Sequence, residues 1–123
     1  MNQRILLIED NEQNRYLATF LLQARGWQVT HAEDGPGGLR LAAETAPALI
    51  LLDIQLPGMD GYQVARALRA MPAMAAVPIV AVTSYARPGD REACLAAGCT
   101  GYIEKPIDPQ TFCDEVERHL GAA

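Results

Sequence analysis

The chain has 123 residues, half of them hydrophobic and a fifth charged, with a net charge of -5. That is the length of one domain around one core, roughly 100–150 residues, and the composition excludes a disordered chain. It also excludes a broad basic surface for nucleic acid, because nine arginines are scattered along the chain and Lys105 is the only lysine.

The first apolar run is Arg4–Ile8, and it turns acidic at Glu9-Asp10. It is too short for a secretory leader, and no run reaches the roughly 18–20 residues of a membrane span. A cytoplasmic location, without membrane or nucleic-acid partners, is therefore expected. Leu17, Phe20, Leu21 and Ala24 follow at helical spacing and predict one apolar stripe. Gly26 predicts the helix end. Gln28–Ala32 reads as a second strand and Leu39–Ala43 as part of a short helix. Leu49–Asp53 is a nearly continuous apolar run, as expected of a strand covered on both faces. Val64, Leu68 and Met71 mark a third helix that Pro72 ends. Pro78–Thr83 predicts a fourth strand, Arg91–Ala97 a helix, and Gly101–Glu104 a fifth strand. Asp108 and Pro109 predict the N-cap and first turn of a last helix carrying Phe112, Val116 and Leu120. Strands alternating with helices through short connections predict a (βα)5 doubly wound parallel sheet, an α/β fold with helices on both faces. The whole chain, 1–123, reads as one domain.

In such sheets function collects beyond the carboxyl ends of the strands. The residues there are Glu9 and Asp10, then Asp53, then Thr83 and Ser84, then Glu104, Lys105 and Pro106. Each alone has an ordinary explanation: acids start helices, threonine favours strands, and lysine is usually solvated. Their arrival at one sheet edge points to a site. Three carboxylates close together repel one another unless a cation compensates. A hard divalent cation such as Mg²⁺ is the natural partner, and it leaves an aspartate available as a nucleophile for phosphoryl transfer. Lys105, a compact charge on a flexible stem, suits a single phosphoryl oxygen better than an arginine fork does. Lys105-Pro106 is a candidate cis peptide. Cys94, Cys99 and Cys113 have no metal-ligand spacing and read as buried free thiols. His31 and His119 likewise stand apart.

The stretches ILLIEDNEQNR, LILLDIQLPGMDGYQVARALR, PIVAVTSYA and AAGCTGYIEKPID resemble the receiver domain of bacterial two-component response regulators over essentially the whole chain. The resemblance implies a flavodoxin-like sheet of strand order 2-1-3-4-5. It implies that Asp53 accepts a phosphoryl group from a phosphohistidine on a sensor histidine kinase or a histidine phosphotransfer protein. Asp10, Asp53 and the Gln55 carbonyl would bind Mg²⁺, with Glu9 acting through a water. Lys105 would hold the phosphoryl oxygen. Thr83 and Tyr102 would form the switch, coupled to a downstream protein target at the surface of helix four, strand five and helix five. Helix one, around Asn14, Arg15 and Leu17, would receive the phosphodonor.

The acidic pair is Glu-Asp where the family more often has Asp-Asp. Gln55 and Tyr85 sit where the family tunes phosphoryl lifetime, and Pro88-Gly89 predicts an irregular entry to helix four. The expectation is a single-domain regulatory phosphoacceptor with no output domain, which promotes its own phosphorylation and dephosphorylation and is not otherwise an enzyme. The alternatives are a receiver-like interaction module that works without phosphorylation and a small aspartate-nucleophile phosphohydrolase. The latter lacks its second acid, since Gln55 stands there. A flavin-nucleotide module is disfavoured by EDNEQNR, which offers no hydroxyl- and glycine-rich phosphate loop.

Overall fold

The computed structural model describes residues 2–84 and 88–120. In chain order the elements are β1 (Arg4–Ile8), α1 (Glu12–Ala24), β2 (Gln28–Ala32), α2 (Gly35–Thr45), β3 (Leu49–Asp53), α3 (Gly61–Ala70), a 3-10 turn (Pro72–Met74), β4 (Ile79–Thr83), α4 (Asp90–Ala96), β5 (Gly101–Glu104) and α5 (Phe112–Arg118). The strands form one parallel sheet of order β2-β1-β3-β4-β5. This is the expected doubly wound arrangement.

Alternate strand residues enter two separate cores, as the period of two requires. Leu6, Ile8, Ile50, Leu52, Ile79 and Ala81 pack with Ala42 of α2, Val64 and Leu68 of α3 and Cys94 of α4. Ile5, Leu7, Leu49, Leu51, Val80 and Val82 pack with Ala18 and Leu22 of α1 and Phe112 and Val116 of α5. Every residue of β3 and β4 is buried, so their sequences have no polar face. The edge strands β2 and β5 are only partly covered.

Three local expectations change. The buried face of α1 is Ala18 and Leu22, whereas Phe20 is 60% exposed and Ala24 is exposed. Nearly every position from Leu17 to Leu22 is apolar, so overlapping stripes were available and docking on the sheet selected one. α5 begins at Phe112, not at Asp108. Asp108 accepts backbone hydrogen bonds from Thr111 and Phe112 and a side-chain bond from Gln110, and so closes a separate turn. β4 starts one residue later than expected, at Ile79, because Pro78 has no N–H for the ladder.

Other signals hold. Gly26, at φ +93°, follows the last turn of α1. Gly89 takes the same conformation just before α4, and the expected irregular entry is partly within residues 85–87, outside the described residues, as is Tyr85. α3 starts with a capping box between Asp60 and Gln63. Gly61 brings that start against the end of β3: a Cβ there would lie 2.5 Å from Ile54 Cα and 2.7 Å from the Asp53 carbonyl oxygen. No helix among the described residues is long and apolar enough to cross a membrane.

Candidate functional site

Strand register assembles the site. Ile8 is opposite Leu52, so the next residues, Glu9 and Asp53, come side by side. Asp53 is opposite Val82, which brings Thr83 next to it, and Thr83 is opposite Glu104. The Lys105 backbone N–H continues that ladder, donating to the Thr83 carbonyl at 2.7 Å. The Lys105-Pro106 peptide is cis.

The lysine closes the cluster. Lys105 Nζ lies 2.9 Å from Glu9 Oε1 and 3.3 Å from Asp53 Oδ2, and all three side chains are largely buried. One ligand oxygen each from Glu9, Asp10 and Asp53 lies within 4.8 Å of the others. This all-oxygen set, with neither sulfur nor nitrogen, fits a hard divalent cation of the Mg²⁺ type. Asp53 is 2% exposed. Burial pushes its carboxyl up to about 6, and Glu9 adds to the rise through a hydrogen bond and its charge. The Gln55 amide, donating to Asp53 Oδ1 at 3.0 Å, and the charge of Lys105 oppose it. A divalent cation would reverse the balance and favour the carboxylate.

The other site residues fall near this center in graded fashion. Asp10 is exposed at its rim, Gln55 is half-buried beside Asp53, and Thr83 is buried at the end of β4. Tyr102 is farther along β5. It packs on the core and lines a groove of about 500 Å³ between α4, β5 and α5, together with Arg91, Leu95 and His119. Glu9, Asp10 and Asp53 do not line that groove, whose own acids are Glu104, Asp108 and Glu115. The three thiols are free and buried, and burial pushes Cys99 up to about 12, which leaves it unreactive.

Two residues do more at the site than the sequence reading assigned. Asn11 caps α1 by accepting from the Asn14 amide, and its own amide donates to Glu9 Oε2. Arg15, expected only on a docking face, donates to the carbonyls of Glu9 and Asp10. The cap was legible as an Asn before an apolar-periodic stretch. The arginine contact had no signal beyond standing one turn after the acidic pair.

A family model described as the response regulator receiver domain matches residues 5–117. The chain belongs to this family. The receiver is 37% identical over 123 residues to the polar-differentiation response regulator DivK of Brucella ovis, covering 100% of both chains. Among solved structures it is similar to the receiver domain of a sensor histidine kinase from Pseudomonas aeruginosa PAO1, which was crystallised with a magnesium ion coordinated in the active-site cleft. That pair shares 38% identity and a TM-score of 0.90, covering 99% of this chain and 100% of the other. The chemotaxis protein CheY4 of Vibrio cholerae gives a TM-score of 0.92 at 27% identity, covering 97% and 99% of the two chains.

Proposed function

We propose that this receiver is a signalling switch in which Asp53 accepts a phosphoryl group from a phosphohistidine. The observation that carries the reading is the buried Asp53 carboxylate, with Lys105 Nζ at 3.3 Å and the Glu9 and Asp10 oxygens beside it. In the transfer, an Asp53 carboxylate oxygen forms a bond to phosphorus as the phosphorus–nitrogen bond breaks, and the imidazole leaves with the electron pair. Asp10 and Asp53, with the Gln55 carbonyl, would hold Mg²⁺, and Glu9 would act through a bound water. The cation supplies positive charge to the phosphoryl oxygens and lowers repulsion among the carboxylates. Lys105 then exchanges its contact with Asp53 for a phosphoryl oxygen. Glu9 stays within its reach and keeps the ammonium oriented.

Thr83 and Tyr102 are the switch pair, and they link the new charge to the groove between α4, β5 and α5, where a downstream protein would dock. The phosphodonor, a sensor histidine kinase or a phosphotransfer protein, would dock on α1. There Tyr16 and Phe20 are 74% and 60% exposed and stack with ring centroids 6.4 Å apart, next to Arg15 and the acidic turn. The chain as given, 1–123, would act as one receiver unit in the cytoplasm, signalling by protein contact, with no chemistry beyond its own phosphorylation and dephosphorylation.

The test is intact mass after incubation with acetyl phosphate, with and without Mg²⁺, on the wild type and on Asp53→Asn. A Mg²⁺-dependent gain of one phosphoryl group that is absent from Asp53→Asn is expected. No gain and no Mg²⁺ binding in the wild type would refute the reading and favour an interaction module that works without phosphorylation.

A further inference from the structure

We propose that Arg15 is a positioning residue for the cation site. Its guanidinium presets the backbone of the Glu9-Asp10 turn and, through it, the direction of the Asp10 carboxylate. The proposal rests on the reading of Asp10 and Asp53 as cation ligands.

Arg15 Nη1 donates to the Glu9 carbonyl at 3.0 Å and to the Asp10 carbonyl at 3.1 Å. Its Nη2 lies 3.4 Å from Glu33 Oε1, in the turn after β2. The Arg15 side chain is only 13% exposed. One planar fork thus ties together the turns that follow two neighbouring strands, which suits arginine and not lysine.

The three acids differ in how firmly they are held. Glu9 donates its amide to the Ala32 carbonyl, accepts from the Asn11 amide and pairs with Lys105. Asp53 ends a fully buried strand and accepts from the Gln55 amide. Asp10 is exposed, and among the described residues the contact that holds it is the one its carbonyl makes with Arg15. A loosely held ligand must be ordered when the cation binds, and that entropy is subtracted from affinity. Groups that order a ligand beforehand therefore matter to affinity without touching the metal.

The charge of Arg15 acts in the opposite direction, since a guanidinium near a cation site disfavours the cation. The two roles thus predict opposite signs. If Arg15 acted only as a charge, its loss would tighten Mg²⁺ binding. If it positions Asp10, its loss weakens binding.

The experiment is a Mg²⁺ titration of the wild type, Arg15→Gln, Arg15→Lys and Glu33→Gln, read by calorimetry and by the backbone amide NMR shifts of Asp10 and Asn11. Arg15→Gln is expected to raise the Kd on the order of tenfold, at the lower end of outer-shell effects. Arg15→Lys keeps the charge and the buried stem but lacks the fork, and is also expected to raise it. Glu33 is 72% exposed, so Glu33→Gln should stay within about twofold of the wild type. In acetyl phosphate labelling, the half-saturating Mg²⁺ concentration should rise by the same factor as the Kd. The rate at saturating Mg²⁺ should hold within about twofold, a split that general loss of structure would not produce. Wild-type or tighter affinity in Arg15→Lys overturns the proposal. Should Arg15→Gln lose its folded spectrum, Arg15→Lys alone decides. A wild type that binds no Mg²⁺ overturns the reading of the site itself, and this proposal with it.

Discussion

Asp53→Asn should stabilise the metal-free protein at neutral pH. The Asp53 carboxyl is pushed from an ordinary 3.8 up to about 6 by burial first and by Glu9 second. That rise is roughly two units, and at 1.36 kcal/mol per unit the ionised form costs about 3 kcal/mol at pH 7.5. The sign follows from linkage. The folded state binds the Asp53 proton more tightly than the unfolded chain does. The resulting stability is therefore complete below pH 4 and is lost as the pH rises through about 6. Asparagine is neutral at every pH. It keeps Oδ1 as acceptor for the Gln55 amide and places an NH₂ donor toward Glu9, but it also faces Lys105 Nζ with a second donor. The net gain should therefore be smaller, about 2 kcal/mol. With 123 residues, that corresponds to a rise in Tm of about 8 °C. Urea and thermal unfolding in chelator, followed by the fluorescence of Trp27, would measure it at pH 4.5, 6.0 and 7.5. The gain should be small at pH 4.5 and fully open at pH 7.5, and Mg²⁺ should then stabilise the wild type more than the variant. A variant less stable than the wild type at pH 7.5, or a gain that does not change with pH, would refute the electrostatic account of the site.

Lys105→Met should destabilise the metal-free protein at pH 7.5 by about 3 kcal/mol, because it leaves Glu9 and Asp53 buried without their cation. Urea titration measures the loss, and added Mg²⁺ should return part of it. Arg69 reaches the carbonyls of Gly98, Met74 and Val77 and the Thr100 hydroxyl, tying the end of α3 to the loops before β4 and β5. Arg69→Met strands these acceptors and should cost about 2–4 kcal/mol in a thermal melt, while the fraction of folded protein labelled by acetyl phosphate stays unchanged. On α1, Leu22→Ala should cost about 3 kcal/mol, since Leu22 is fully buried. Phe20→Ala, at an exposed position, should stay within about 0.5 kcal/mol of the wild type. Equal losses at the two positions would put the buried face of the helix in the wrong place.

Much of this protein was determined by its sequence alone. Short continuous apolar runs such as Leu49–Asp53 read as strands covered on both faces, because no polar side was left for water and the run is strand length. Their alternation with helical stretches then required a parallel sheet with crossovers. The same runs end on acids, a threonine and the one lysine, so the kinds of residue at the functional edge were legible before any fold was known. Tertiary structure decided what local pattern left open. α1 carries apolar residues around most of its circumference, and only contact with the sheet selected Ala18 and Leu22 over Phe20. The start of α5 moved to Phe112 because Asp108 was used for a turn. Strand register set Glu9 beside Asp53 and let Lys105 reach both, across separations that leave no trace in a local window. The grip of Arg15 on the acidic turn arises in the same way. A side-chain hydrogen bond depends on where the backbone has already gone, and composition and periodicity carry no information about that.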